Sequence, residues 1–115
     1  MATLTTQTIN RAGTVITPVA AAGGGDAMAR GSGMMLEVVN GGASPITVTL
    51  AIPAGASGYP NTAYTSTAIS VTNGTTRWIG PVAGPLYQDP TTGLCTVTYS
   101  GVTTVTVAAV QLSQP

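Results

Sequence analysis

Ile46-Thr47-Val48-Thr49-Leu50-Ala51-Ile52 alternates apolar and small side chains without a break, and this period of two constrains the fold more than any other feature of the chain. In an extended strand it puts Ile46, Val48, Leu50 and Ile52 on one face and Thr47, Thr49 and Ala51 on the other, whereas a helix would scatter both sets around its axis. The fold must therefore supply a sheet with one dry face. Composition extends the same chemistry along the chain: Val, Ile and Thr dominate, threonine alone filling roughly a fifth of the positions, and Gly and Pro recur between the runs. No segment carries a helical period. Ala20-Ala21-Ala22 is followed at once by Gly23-Gly24-Gly25, too short a stretch to nucleate a helix.

Further strands follow from alternation and turn chemistry. Leu94–Ser100 sets Cys95, Val97 and Tyr99 against Thr96 and Thr98 and leads through Ser100-Gly101-Val102 to the next strand, which predicts a hairpin. Thr67–Thr72 and Thr75–Ile79 flank Asn73-Gly74, the dipeptide suited to a two-residue type I′ turn, which predicts a second hairpin. Gly33–Val39 has apolar residues on both faces, as a central or interface strand would, and Asn40 to Pro45 turns it into the strong strand. Thr104–Leu112 alternates through Val105, Val107 and Ala109 and then shifts to Val110 and Leu112, a change of parity that a bulge or sheet crossover near Ala108 would explain. Leu4–Ile9 and Thr14–Val19 also read as strands. Whether Leu4–Ile9 pairs within its own domain stays open. The expected fold is an all-β, jelly-roll-like β-sandwich of about seven or eight strands, one domain over 1–115, with 1–10 as an extended N-terminal arm and 20–33 as a flexible loop.

Charge bears on function. Only Arg11, Asp26, Arg30, Glu37, Arg77 and Asp89 are charged, and they balance to zero. An ordinary domain carries roughly 25% charged residues and keeps itself soluble with a net charge away from zero. This surface reads as built to pack against something. With no Lys and three scattered Arg, the chain lacks the cations that displace counterions from phosphates, so no nucleic-acid partner is expected. Cys95 stands alone, which rules out an internal disulfide and fits synthesis in a reducing cytoplasm. The first residues have neither a basic nor an apolar signal region, and no apolar run approaches a membrane span, so neither secretion nor a membrane partner is expected.

Chemistry is as sparse as charge. Without His or Lys the commonest general base and the amine nucleophile are missing, and no Ser or Thr has a recognisable activating partner, so no enzyme activity and no catalytic residue is assigned. Asp26, Glu37 and Asp89 lie one per distant segment, below the ligand density of a calcium motif; no metal or cofactor is expected. Cys95 reads as a small buried hydrophobe, since it has no basic neighbour. Gly23-Gly24-Gly25 lacks the ending of a phosphate-binding loop, and Asn73-Gly74-Thr75, though a glycosylation sequon, is better explained as a turn.

The aromatics supply the contact candidates. Tyr59 and Tyr64 sit in the Gly58-Tyr59-Pro60-Asn61 loop region, where amphipathic rings suit protein contact more than carbohydrate stacking. Trp78 reads first as a cap or core residue and second as a contact residue. Arg77 would face away from it on an alternating strand. Together with Arg11, Arg30 and Tyr87, these residues form the set of candidate partner or subunit contacts.

The succession Val15-Ile16-Thr17-Pro18-Val19-Ala20-Ala21-Ala22, Gly24-Gly25-Asp26 and Leu36 to Thr49 resembles small proteins of tailed bacteriophages. Thr75-Thr76-Arg77-Trp78-Ile79-Gly80-Pro81, Tyr87 to Leu94 and Val97-Thr98-Tyr99-Ser100 continue the resemblance over most of the chain. It implies a capsid decoration, or cement, protein that binds the major capsid protein on the outer surface of the virion, commonly as a homotrimer. Ala27-Met28-Ala29-Arg30-Gly31 departs from the pattern, where a more polar stretch would be expected. Related small β-proteins also serve in tails and head fibres, and a carbohydrate-binding sandwich using Tyr59, Tyr64 and Trp78 is a third reading.

Overall fold

The structure, a computed structural model, describes residues 2–51, 67–80, 82 and 93–112. Among these there are ten strands and no helix: β1 (Ala2–Thr3), β2 (Thr6–Ile9), β3 (Val19–Ala20), β4 (Asp26–Met28), β5 (Met34–Asn40), β6 (Ile46–Leu50), β7 (Thr67–Val71), β8 (Thr75–Ile79), β9 (Cys95–Tyr99) and β10 (Val105–Leu112). The first sheet runs β1-β4-β9-β6-β7 and the second β2-β10-β5-β8, with β3 also paired to β10. Both are mixed, because β1 lies parallel to β4 and β2 parallel to β10 while the other pairs are antiparallel. The all-β sandwich expected from the sequence is present.

Alternation decides what each strand buries. On β6, Ile46, Val48 and Leu50 are buried and Thr47 is exposed, so the pattern that opened the sequence faces the core as expected; Ile52 lies outside the described residues. Met28, Cys95 and Val97 join them from the first sheet, and Leu36, Val38 and Val107 meet them from the second. Each large aliphatic side chain buried this fully contributes about 1.5–3 kcal/mol. The two sheets cannot separate without exposing all of them.

Neither predicted hairpin forms. β7 pairs with β6 in the first sheet and β8 with β5 in the second, so Asn73-Gly74 is a corner between sheets. Only Gly74 has a positive φ there, +75°, whereas a type I′ turn needs one at both central residues. The Thr75 N–H closes the turn on the Thr72 carbonyl at 3.2 Å, and the Gly74 N–H donates to the Asn40 carbonyl at 2.7 Å. β9 and β10 likewise belong to different sheets, and the link between them passes through Thr104 at a φ of 55°. Turn residues signalled where the chain reverses but not which sheet receives it.

Three further expectations change. The pairing of β10 with β5 runs unbroken from Val105 opposite Asn40 to Gln111 opposite Met34, so there is no bulge at Ala108. Residues 2–9 do not extend as an arm: β1 and β2 pair with β4 and β10, and Leu4 is buried between the sheets with its N–H on the Ala27 carbonyl. Within 20–33, Asp26, Ala27 and Met28 form a fully buried strand, while of Thr14–Val19 only Val19 joins one.

Candidate interaction face

The second sheet has two different faces. Along β5, Met34, Leu36, Val38 and Asn40 point inward and are buried, and Met35, Glu37 and Val39 point outward and are half-buried. Strand register extends that outer face to both sides. Glu37 stands opposite Trp78 on β8 and opposite Ala108 on β10, forming a row Trp78–Glu37–Ala108. Met35 stands opposite Val110, which in turn neighbours Gln7 on β2.

One half of this outer face is covered by the chain itself. The Gln7 carboxamide grips the Thr17 backbone twice, donating to its carbonyl at 3.0 Å and accepting from its N–H at 2.8 Å, which holds the returning segment beside Val110. Ala108 and Val110 are buried accordingly. The parity change that suggested a bulge is instead the mark of a strand buried on both faces.

The other half is open. Trp78 is 49% exposed and Leu112 54% exposed, and with Met35, Gly33 and Gly80 they line an apolar groove of about 260 Å³. Gly80 keeps this edge of the groove tight: a Cβ there would lie 3.0 Å from both Met35 Cγ and the Met34 carbonyl oxygen, so those neighbours would have to shift by a few tenths of an ångström. Trp78 is therefore neither a cap nor a core residue, contrary to its first reading. An indole half in water forgoes much of its burial energy unless a partner covers it.

The remaining candidates do not gather into one site. Arg77 is exposed and, by alternation, faces away from Trp78, as expected. Arg11 is exposed in the turn after β2, at the opposite edge of the second sheet, three strands across from β8. Arg30 is half-buried just beyond β4 of the first sheet. Tyr59, Tyr64 and Tyr87 lie outside the described residues. Sequence reading missed Met35, Glu37 and Leu112 as a set; the apolar residues on both faces of β5 and the late parity of β10 were the available signals.

Polar chemistry in the interior is structural. Asp26 is fully buried in the first sheet, where its Oδ2 accepts from the Tyr99 hydroxyl at 2.8 Å and from the Ala22 N–H at 3.2 Å. Burial, followed by the hydrogen bond to Asp26 and its charge, raises the Tyr99 pKa well above the usual phenol range. Cys95 is buried, and desolvation pushes its thiol up to about 11, the behaviour of an inert small hydrophobe. Asp26 and Glu37 sit in different sheets, one inside and one on the outer face, and no group of three His, Cys, Asp or Glu gathers among the described residues. No family model, curated protein or solved structure matches the chain.

Proposed function

We propose that this protein is a structural virion component that decorates the outside of a phage capsid, binding the major capsid protein as a homotrimer and stabilising the shell. The observation that carries this reading is the half-open apolar face around Trp78, on a molecule with only six charged side chains. Such a face gains most from docking on a large, repetitive surface, where several modest contacts act together. A ligand that binds assembled capsid and not its free subunits stabilises the assembly by mass action. Resemblance to small phage head proteins supplies the partner.

Purified protein added to capsids prepared without it should bind saturably, at a stoichiometry set by capsid symmetry, and raise their resistance to heat or salt. Saturable binding to tails instead would overturn this reading and favour a tail module. Of the three aromatics that a carbohydrate-binding sandwich would use, only Trp78 lies within the described residues.

A further inference from the structure

The groove beside Trp78 is apolar, but the cross-strand row through Trp78 carries a charge at its centre. Glu37 stands directly across the strand from Trp78, and its other cross-strand neighbour, Ala108, offers no charge to balance it. Directly opposed residues on one face hold their Cβ atoms about 4.5–5.5 Å apart, close enough for one ligand group to touch both side chains. Glu37, partly buried, beside the half-exposed Trp78 is complementary to a cation, which the ring face attracts through its quadrupole and the carboxylate through its charge. Planar guanidinium suits both contacts better than a compact ammonium, since it stacks on the ring while its fork donates to the carboxylate. Met35 and Leu112, further along the groove, add an apolar seat for the residue next to that cation.

We propose that the Glu37–Trp78 row is a receptor for an arginine side chain of a partner protein, with an adjacent apolar side chain seated between Met35 and Leu112. This names the chemistry of the contact surface proposed above and rests on that reading only for the partner's identity as capsid protein. Recognition would then fix orientation through one charge-assisted contact on an otherwise neutral face.

Trp78 is the only tryptophan in the chain, so its fluorescence reports this site directly. The probe is a capped Leu-Arg-Leu tripeptide, compared with the same peptide carrying citrulline, which keeps the shape of arginine and removes the charge. The arginine peptide should change Trp78 emission saturably, and the citrulline peptide should bind at least tenfold more weakly. Glu37→Gln should lower affinity for the arginine peptide about tenfold while leaving the unfolding midpoint nearly unchanged, and raised salt should weaken wild-type binding. Equal binding of the two peptides, or affinity indifferent to Glu37→Gln, would overturn the proposal. Trp78→Leu, followed by calorimetry, should lose binding as well; retained binding would place the cation elsewhere. Self-association of the free protein that Glu37→Gln abolishes would make the occupant a second copy and overturn assignment to a different protein. Capsid binding by wild type that Glu37→Gln leaves unchanged would overturn the arginine receptor and leave decoration standing. Saturable peptide binding without any capsid binding would do the reverse.

Discussion

The Tyr99 hydroxyl donates to the Asp26 carboxylate at 2.8 Å inside the sandwich, joining two residues 73 positions apart. The second carboxylate oxygen, Oδ1, is buried and has no hydrogen-bond partner among the described residues, where this phenol and the Ala22 N–H carry the polar satisfaction of Asp26. Losing one partner of a buried charged group leaves the other desolvated and unpaid by any contact.

Tyr99→Phe should therefore cost about 2 kcal/mol in urea unfolding. Asp26→Asn made in the Tyr99→Phe background should cost less than in wild type, because the acceptor has already lost its donor. A double-mutant cycle with a coupling near zero would show that the hydrogen bond does not hold these elements together.

Alkaline pH should weaken the fold from about pH 9 upward. Cys95 and Tyr99 both have folded pKa values raised above their ordinary ones, Cys95 from 9.0 to about 11, so above pH 9 the unfolded chain binds fewer protons than the folded one. Stability contributed by the neutral thiol is fully present below pH 9 and is lost as pH rises to about 11. The Cys95 contribution is about 3 kcal/mol. Stability measured from pH 7 to 11 should fall, and Cys95→Ala should flatten the part of the fall that begins near pH 9. An identical slope in the variant would exclude the thiol as its source.

Asn40 holds the corner where three strands meet. Its amide nitrogen donates to the Ser44 carbonyl at 2.9 Å and the Val71 carbonyl at 3.1 Å, and its side-chain oxygen accepts from the Gly42 N–H at 3.0 Å. The residue is 1% exposed, so water does not replace these bonds when they are lost. Asn40→Ala should cost about 3 kcal/mol or more. Asn40→Asp, which can accept but not donate, should be nearly as damaging; a mild effect from either substitution in thermal unfolding would refute the staple.

Two glycines with similar backbone angles should respond differently. Gly25 has φ +95° and a Cβ there would lie 2.7 Å from the Val97 carbonyl oxygen, whereas Gly74 has φ +75° and open space around it. Gly74→Ala should cost only the left-handed penalty, about 1 kcal/mol. Gly25→Ala adds a clash with backbone that cannot move aside, and should cost at least twice as much by chemical denaturation. Equal costs would mean that packing at Gly25 is irrelevant.

Trp78→Ala should separate binding from folding. Half the ring is already in water and its side chain faces outward, so unfolding free energy should drop by no more than about 1 kcal/mol, while capsid binding is lost. Co-sedimentation with capsids read beside a melting curve checks both; a collapse of stability would return Trp78 to the core.

Much of the fold was legible because alternation is a local property. Val48 and Leu50 face the core as their spacing demanded, and Met34, Leu36 and Val38 do the same on β5. Asn73-Gly74 and Ser100-Gly101-Val102 correctly marked reversals but not their destination, since a turn and a sheet-to-sheet corner use the same residues. The site was less legible. Trp78 and Arg77 were visible as candidates, while Glu37 became one only when register set it opposite Trp78, and Tyr59, Tyr64 and Tyr87 lie outside the described residues.

By itself, the sequence determined an all-β chain, the inward faces of its main strands, a nearly chargeless surface and an inert lone cysteine, because period, propensity and composition are written residue by residue. Only the tertiary structure decided which strands share a sheet, that Asp26 meets Tyr99, and that one half of an outer face is clasped under Gln7 while the other leaves Trp78 open. Those outcomes depend on pairings between residues far apart in the chain, whose free energy comes from burying both partners together and is invisible in either partner alone.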